Sequence, residues 1–243
     1  MQYIRHYTTT MDIKNKVVCI TGGATGIGLA TAQKMLSQGA KVGIIALTIP
    51  DTAQIKELAK RNDVVVCQGD IQNAQEMKTA LNTVVDTLGS VDVFINNAAV
   101  TQRKSFEETE RADWDFIIDV NIKGTLCATK EALTIMRRQG HGIIITISSG
   151  AGLYGIKNLS LYSLAKAALI NFSQSLADEV RDQGITVFTV TPGSTNTSLF
   201  SSCFPQREAQ YTPEQIADVI AQAVVGDIHP DERLIIDVFK HAR

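Results

Sequence analysis

The chain has 243 residues, 44% of them apolar and 20% charged, with a formal net charge of -2. That length suits one α/β domain better than two and is enough to bury a full core. The near-neutral balance offers no general attraction to nucleic acid or to an anionic membrane surface, so a phosphate-bearing partner must be held by a local site.

Met1 to Thr10 is polar and lacks the apolar segment of a secretory leader, so residues 1–11 read as an N-terminal extension and 12–243 as one domain. Short β-branched runs then alternate with longer segments of helical apolar spacing. Strands are predicted at Val17–Thr21, Lys41–Ala46, Val64–Gln68, Val91–Ile95, Gly142–Ile147, Ile185–Val190 and Arg233–Val238. Helices are predicted at Gly26–Ser37, Ala74–Leu88, Ala112–Arg138 and Leu161–Asp182, with another beginning near Thr212-Pro213. The strands are nearly continuous apolar runs, as in Ile143-Ile144-Ile145-Thr146-Ile147, which fits a sheet covered on both faces. This alternation implies right-handed βαβ units and a doubly wound, Rossmann-like parallel sheet of about seven strands, helices on both faces, in a single domain. No apolar run reaches the ~18 residues of a membrane span. Cys19, Cys67, Cys127 and Cys203 are widely spaced and match no metal-ligand pattern. Free thiols, no metal and a reducing, cytoplasmic setting are the expectation.

The first strand runs into Gly22-Gly23-Ala24-Thr25-Gly26-Ile27-Gly28, and a helix follows. Glycine at 22, 26 and 28 permits a tight turn and close backbone approach, while the helix N-terminus offers free N–H groups to a pyrophosphate. Farther on, Tyr162 and Lys166 are one helical turn apart and share a face. A phenol with an ordinary pKa near ~10 needs electrostatic help to ionise at neutral pH, and a neighbouring ammonium provides it. Ser149 ends a strand at its carboxyl side, where open parallel sheets place ligands, and its hydroxyl is suited to bond the oxygen that Tyr162 protonates. The plainer reading of Ser148-Ser149-Gly150 is turn chemistry.

With those residues in this order, the chain resembles the short-chain dehydrogenase/reductase family over about residues 12 to 226. The matching features are Thr21-Gly22-x-x-x-Gly26-Ile27-Gly28, Asn96-Asn97-Ala98, Val120-Asn121-x-x-Gly124, Ser149, Tyr162-x-x-x-Lys166 and Pro192-Gly193. The resemblance implies an NAD(P)-dependent oxidoreductase that moves a hydride between a nicotinamide ring and a carbonyl or alcohol carbon. In it Tyr162 would be the general acid/base, and Lys166 would lower its pKa while bonding the nicotinamide ribose. Ser149 would polarise the substrate oxygen, and Asn121 would hold a water of a proton relay behind Lys166. Gly22, Thr25, Gly26, Ile27 and Gly28 would cradle the diphosphate, and Asp70 and Ile71 would flank the adenine. Asn96 and Ala98 would line the cofactor groove, as would Pro192, Gly193, Thr195 and Thr197, the last contacting the carboxamide. For Asn96, Asn97 and Asn121, backbone bonding at element ends is the structural alternative.

The family's ribose-binding acid should fall near position 46, where the sequence has Ala46-Leu47-Thr48. Without a carboxylate nothing repels a 2′-phosphate, which tilts the choice toward NADP(H), with NAD(H) still open. Lys56 is a phosphate partner only if the loop from Thr48 to Gln54 folds back, and Asp51 is equally a displaced acid. Ala99 replaces a usual family glycine, and the stretch from Gly226 departs from the usual tail. Ser198 to Tyr211 reads as a flap over the substrate, apolar at Leu199, Phe200, Phe204 and Tyr211, with Tyr154 and Leu159 beside it. The expected substrate is a small-molecule, moderately hydrophobic carbonyl or alcohol, with acyl thioester, small ketone, polyol and steroid all open, and the expected assembly is a homodimer or homotetramer. A catalytically silent dinucleotide-binding sensor or scaffold, and a lyase or epimerase on the same fold, are the competing readings.

Overall fold

Strand β1 (Val17–Thr21) is buried along its whole length, and β5 (Gly142–Ile147) likewise, because helices cover both faces of the sheet they belong to. The computed structural model describes residues 11–242, so the expected N-terminal extension lies, Met11 apart, outside the described residues. The remaining strands are β2 (Lys41–Ala46), β3 (Val64–Gln68), β4 (Val93–Asn96), β6 (Ile185–Thr191) and β7 (Ile235–Asp237). All pair in parallel in the order β3-β2-β1-β4-β5-β6-β7. The helices are α1 (Gly26–Ser37), α2 (Ala53–Ala59), α3 (Ala74–Leu88), α4 (Arg111–Ile118), α5 (Thr125–Gln139), α6 (Ser160–Val180), α7 (Ser198–Cys203) and α8 (Pro213–Val225). One apolar core, with Phe94, Phe188, Ile44 and Met136 fully buried, runs through the sheet and both helical layers. The fold is the Rossmann-like single domain expected.

The strand order reverses between β1 and β4, and that switch point opens a crevice at the carboxyl ends of the strands.

Helix α6 and strand β6 differ from the sequence reading by one or two residues at an end, and α2 and α7 were not expected. Three further differences each have a local reason. The single helix expected over 112–138 is two helices joined by a π-helical turn, Asp119–Gly124. Asn121 in that turn bonds both backbone groups of Val100, and Gly124 lets the Ile71 side chain approach to where a Cβ would stand only 2.7 Å away. Strand β4 starts at Val93 because Asp92 spends its carboxylate on the backbone of Val17. Strand β7 is shorter than 233–238, because Asp231 Oδ1 accepts from the backbone N–H groups of Arg233 and Ile235 and makes a turn there.

Candidate active site

The crevice encloses about 970 Å³. Its floor is the glycine turn. Gly22 and Gly26 have φ of +63° and +52°, a backbone region open to glycine at no steric cost. A Cβ on Gly22 would stand 2.9 Å from Ala98 Cα, and one on Gly28 2.4 Å from the Gly22 carbonyl oxygen. Gly28 thus closes the turn onto the helix, while Gly22, Thr25, Gly26 and Ile27 face the crevice. Helix α1 is left without a side-chain cap: Thr25 makes no such bond, whereas Thr52, Asn73, Thr197 and Thr212 cap α2, α3, α7 and α8. Free N–H groups, a positive helix end and a cradle that any Cβ would fill fit a diphosphate.

At the other end Ser149, Tyr162 and Lys166 converge. Ser149 follows β5, and its hydroxyl accepts from the Ala151 N–H at 3.1 Å while lying within hydrogen-bond reach of the Tyr162 phenol. Tyr162 and Lys166 project from the first turns of α6 into the same space, the ammonium 5.7 Å from the phenol ring centre. Burial pushes the phenol up to about 12, and the Ser149 hydrogen bond pulls against that rise. Burial also drives Lys166 down to about 8; its ammonium donates to the Ile147 carbonyl at 2.8 Å. In the protein alone, therefore, the pull on the phenol comes from Ser149, because Lys166 is turned toward the end of β5.

The other expected site residues divide into two groups. Asp70, Ile71, Ala98, Pro192, Gly193, Thr195 and Thr197 line the crevice. Thr197 Oγ1 is committed to capping α7, accepting from Phe200 N at 3.2 Å, and its methyl packs against Gly26. Gly28, Asn96 and Asn121 do not line it. Asn96 turns to α5 and donates to Thr129 at 2.8 Å, and it is the neighbouring Asn97 that faces the crevice, bridging the carbonyls of Thr21 and Gly22 at 3.0 Å each. The asparagine alternation along β4 carries that signal, since successive strand residues face opposite sides. Asn121 is fully buried and braces Val100.

Lys56 does not reach the crevice. Its ammonium pairs with Asp51 at 2.5 Å, and neither residue is part of the lining, which at the end of β2 consists of Ala46, Leu47 and Thr48. The substrate wall contains Leu199, Phe200, Phe204, Tyr154 and Leu159, as read from the sequence. Tyr211 instead pairs by backbone with Thr195 and packs its ring on Phe239. Among the wall residues that escaped the sequence reading are Phe116 and Phe239, both hidden inside or next to expected regular elements, and Arg207. No group of three or more potential metal ligands occurs among the described residues. All four cysteines are free, and no described helix is long and apolar enough to cross a membrane.

A short-chain dehydrogenase family model matches residues 16–208. Among relatives, an uncharacterized oxidoreductase of Thermotoga maritima is 37% identical over 187 residues, covering 76% of this chain and 74% of its own. The 2-(S)-hydroxypropyl-CoM dehydrogenase 3 of Xanthobacter autotrophicus is 33% identical over 233 residues, covering 86% and 89%. Among solved structures, levodione reductase superposes with a TM-score of 0.83 at 24% identity, covering 93% of this chain and 96% of that one. A 3-ketoacyl-(acyl-carrier-protein) reductase from Brucella melitensis, complexed with NADH, gives 0.82 at 24% identity, with 93% and 97% covered. At that identity the two structures show the fold alone.

Proposed function

The chain belongs to the short-chain dehydrogenase family, and from that membership together with the crevice we infer that it reduces a carbonyl, or oxidises the matching secondary alcohol, with Tyr162 as general acid/base. The observation that carries the reading is that Ser149, Tyr162 and Lys166 line one crevice whose far end is the uncapped α1. A bound nicotinamide dinucleotide supplies or accepts the hydride. Tyr162 holds the proton that the carbonyl oxygen needs, and burial keeps it protonated across the physiological range. Ser149 orients and polarises the same oxygen. Lys166, buried and held by Ile147, would bond the nicotinamide ribose of a bound cofactor, and Asn121 braces the π-helical turn against Val100.

NADP(H) is the cofactor proposed in preference to NAD(H). Ala46-Leu47-Thr48 ends β2 without a carboxylate, so a 2′-phosphate meets no like charge there. With Lys56 held by Asp51, recognition by charge is absent at that end and the preference is correspondingly modest. The wall of Leu199, Phe200, Phe204 and Leu159 favours a substrate with an apolar body. The Xanthobacter autotrophicus relative is named for dehydrogenating a 2-(S)-hydroxypropyl group, which is the same class of secondary-alcohol chemistry. Large apolar side chains left exposed on α4, α5 and α6 (Phe116, Leu126, Leu164) support a homodimer or homotetramer, and the free thiols support a cytoplasmic location.

The test is a carbonyl screen with NADPH and NADH in parallel, following nicotinamide absorbance, on wild type and Tyr162→Phe. Turnover that survives Tyr162→Phe would remove the proposed acid.

A further inference from the structure

Arg103 and Arg207 differ from every other described arginine. Arg61, Arg111, Arg181 and Arg233 pair with carboxylates, and Arg137 and Arg138 bond Gln183 and the Thr134 carbonyl. The side chains of Arg103 and Arg207 have no hydrogen bond or ion pair among the described residues. Each instead lies against the same aromatic ring: their guanidinium carbons are 5.1 and 5.8 Å from the centroid of Phe204. A ring quadrupole attracts a cation but carries no net charge, so Phe204 positions the two guanidiniums without cancelling them.

Their place in the fold gives that charge a use. Phe204 and Arg207 both line the crevice, just past α7, and Phe204 packs on the wall residue Phe200 at 5.3 Å. Arg103 lies two residues beyond the lining residue Thr101, whose hydroxyl meets the Cys203 thiol of α7 at 3.6 Å. The cations nearby in sequence are spent: Lys104 pairs with Asp113 and Lys123 with Asp119. The lip of the crevice therefore carries two guanidiniums that make no ion pair, beside the apolar side chains of Phe200 and Phe204.

We propose that Arg103 and Arg207 form a subsite for a terminal oxyanion on the substrate, a carboxylate or sulfonate, with the apolar stem lying along Phe200 and Phe204. This rests on the oxidoreductase reading of the crevice and names its substrate class: an anionic oxo compound or its hydroxy counterpart. Guanidinium forks match the geometry of such oxyanions, and each charge-assisted contact strengthens binding by about tenfold.

The experiment uses 4-oxopentanoate, 5-oxohexanoate and their methyl esters as matched substrates, with NADPH, in wild type, Arg103→Ala, Arg207→Ala and the double variant. Binding of the two oxo acids to NADPH-loaded Tyr162→Phe protein, with and without the arginine changes, is followed by calorimetry. The expected result is an acid-to-ester ratio of kcat/KM of tenfold or more, collapsing toward one in the double variant through KM. Binding of the acids weakens in parallel and is reduced by added chloride or sulfate. Acid binding that is unchanged in the double variant overturns the subsite, whatever the turnover. Arginine-dependent binding without turnover of any acid or ester upholds the subsite and counts against the reduction reading instead, so the two failures are separable.

Discussion

Asn121 and Val100 exchange two hydrogen bonds of 2.9 Å: the Val100 N–H donates to Asn121 Oδ1, and Asn121 Nδ2 donates to the Val100 carbonyl. The side chain thus ties the π-helical turn to the strand-end segment that runs from Asn97 through Thr101 along the crevice. Removing it leaves two part-buried backbone groups of Val100 unpaired, each costing ~1–3 kcal/mol. Asn121→Ala is expected to lower Tm by roughly 4–24 °C, at ~2–4 °C per kcal/mol for a chain of this size. It should also depress kcat more than it changes cofactor affinity, because the proposed diphosphate cradle is at the N-terminus of α1. Calorimetric unfolding with steady-state kinetics checks both; an unchanged Tm would show that the brace is not structural.

Gly28 offers a cleaner probe of the cofactor cradle. An added Cβ would stand 2.4 Å from the Gly22 carbonyl oxygen and 2.6 Å from Asn97 Nδ2, and the first of these is backbone with little freedom to yield. Gly28→Ala should therefore force the turn open, costing about 1–3 kcal/mol of stability and weakening dinucleotide binding at least tenfold. Gly89→Ala is the control for space, since nothing lies within 4 Å of its Cβ, although its φ of +104° carries its own strain. Fluorescence titration with NADPH distinguishes them: Gly28→Ala should lose affinity and Gly89→Ala should keep it.

The contrast between Gly28 and Arg207 shows what the sequence made legible. Glycine spacing after a strand, alternation of apolar runs with helical periods, and a phenol one turn from an ammonium are local signals. They placed β1, β2, β3, β5, α1 and α3 at their observed bounds and brought Ser149, Tyr162 and Lys166 to one crevice. The direction of a side chain is not local. Asn96 and Asn97 are adjacent and chemically alike, and only strand register sends one to Thr129 and the other to the glycine turn. The division of 112–138 depended on Val100, some twenty residues upstream, and the free state of Arg103 and Arg207 depended on which carboxylates other cations had taken.

Lys166 carries a pH-dependent stability with a definite sign. Burial drives its folded pKa down to about 8, below the ordinary lysine value of ~10.4. Between those values the unfolded chain binds more protons than the folded one, so this residue's contribution grows more favourable as pH rises from about 8 to ~10.4. Below pH 8 the full cost of burying the ammonium is present. Lys166→Met removes that cost along with the bond to the Ile147 carbonyl. The stability difference between variant and wild type should shift in favour of wild type on going from pH 7 to pH 10, while turnover is lost at both. Denaturant titrations at the two pH values measure it, and a difference independent of pH would refute the buried-ammonium account.

Asp92 supplies the opposite sign, at the opposite end of the sheet from the crevice. It is 4% exposed, precedes β4, and accepts from the Val17 N–H at 2.8 Å, Ser90 Oγ at 2.7 Å and His141 Nε2 at 3.0 Å, with Lys16 at 3.7 Å. Burial works to raise its pKa, but the Val17, Ser90 and His141 hydrogen bonds and the Lys16 charge together outweigh it and hold the carboxyl below its usual value. A depressed folded pKa gives stability that is present above the unfolded value of ~3.9 and is lost as pH falls through the folded one. Asp92→Asn keeps an acceptor for Val17 but loses the charge, so it should cost about 1–3 kcal/mol at pH 7. That deficit should shrink as the pH is lowered below about 4, where the wild-type carboxylate is itself protonated. Because the cluster ties the start of β1 to β4 far from α1 and Tyr162, NADPH affinity at pH 7 should stay within about twofold of wild type. A deficit that persists undiminished at pH 3, or a large loss of cofactor affinity, would show that Asp92 acts on something other than the strand ends.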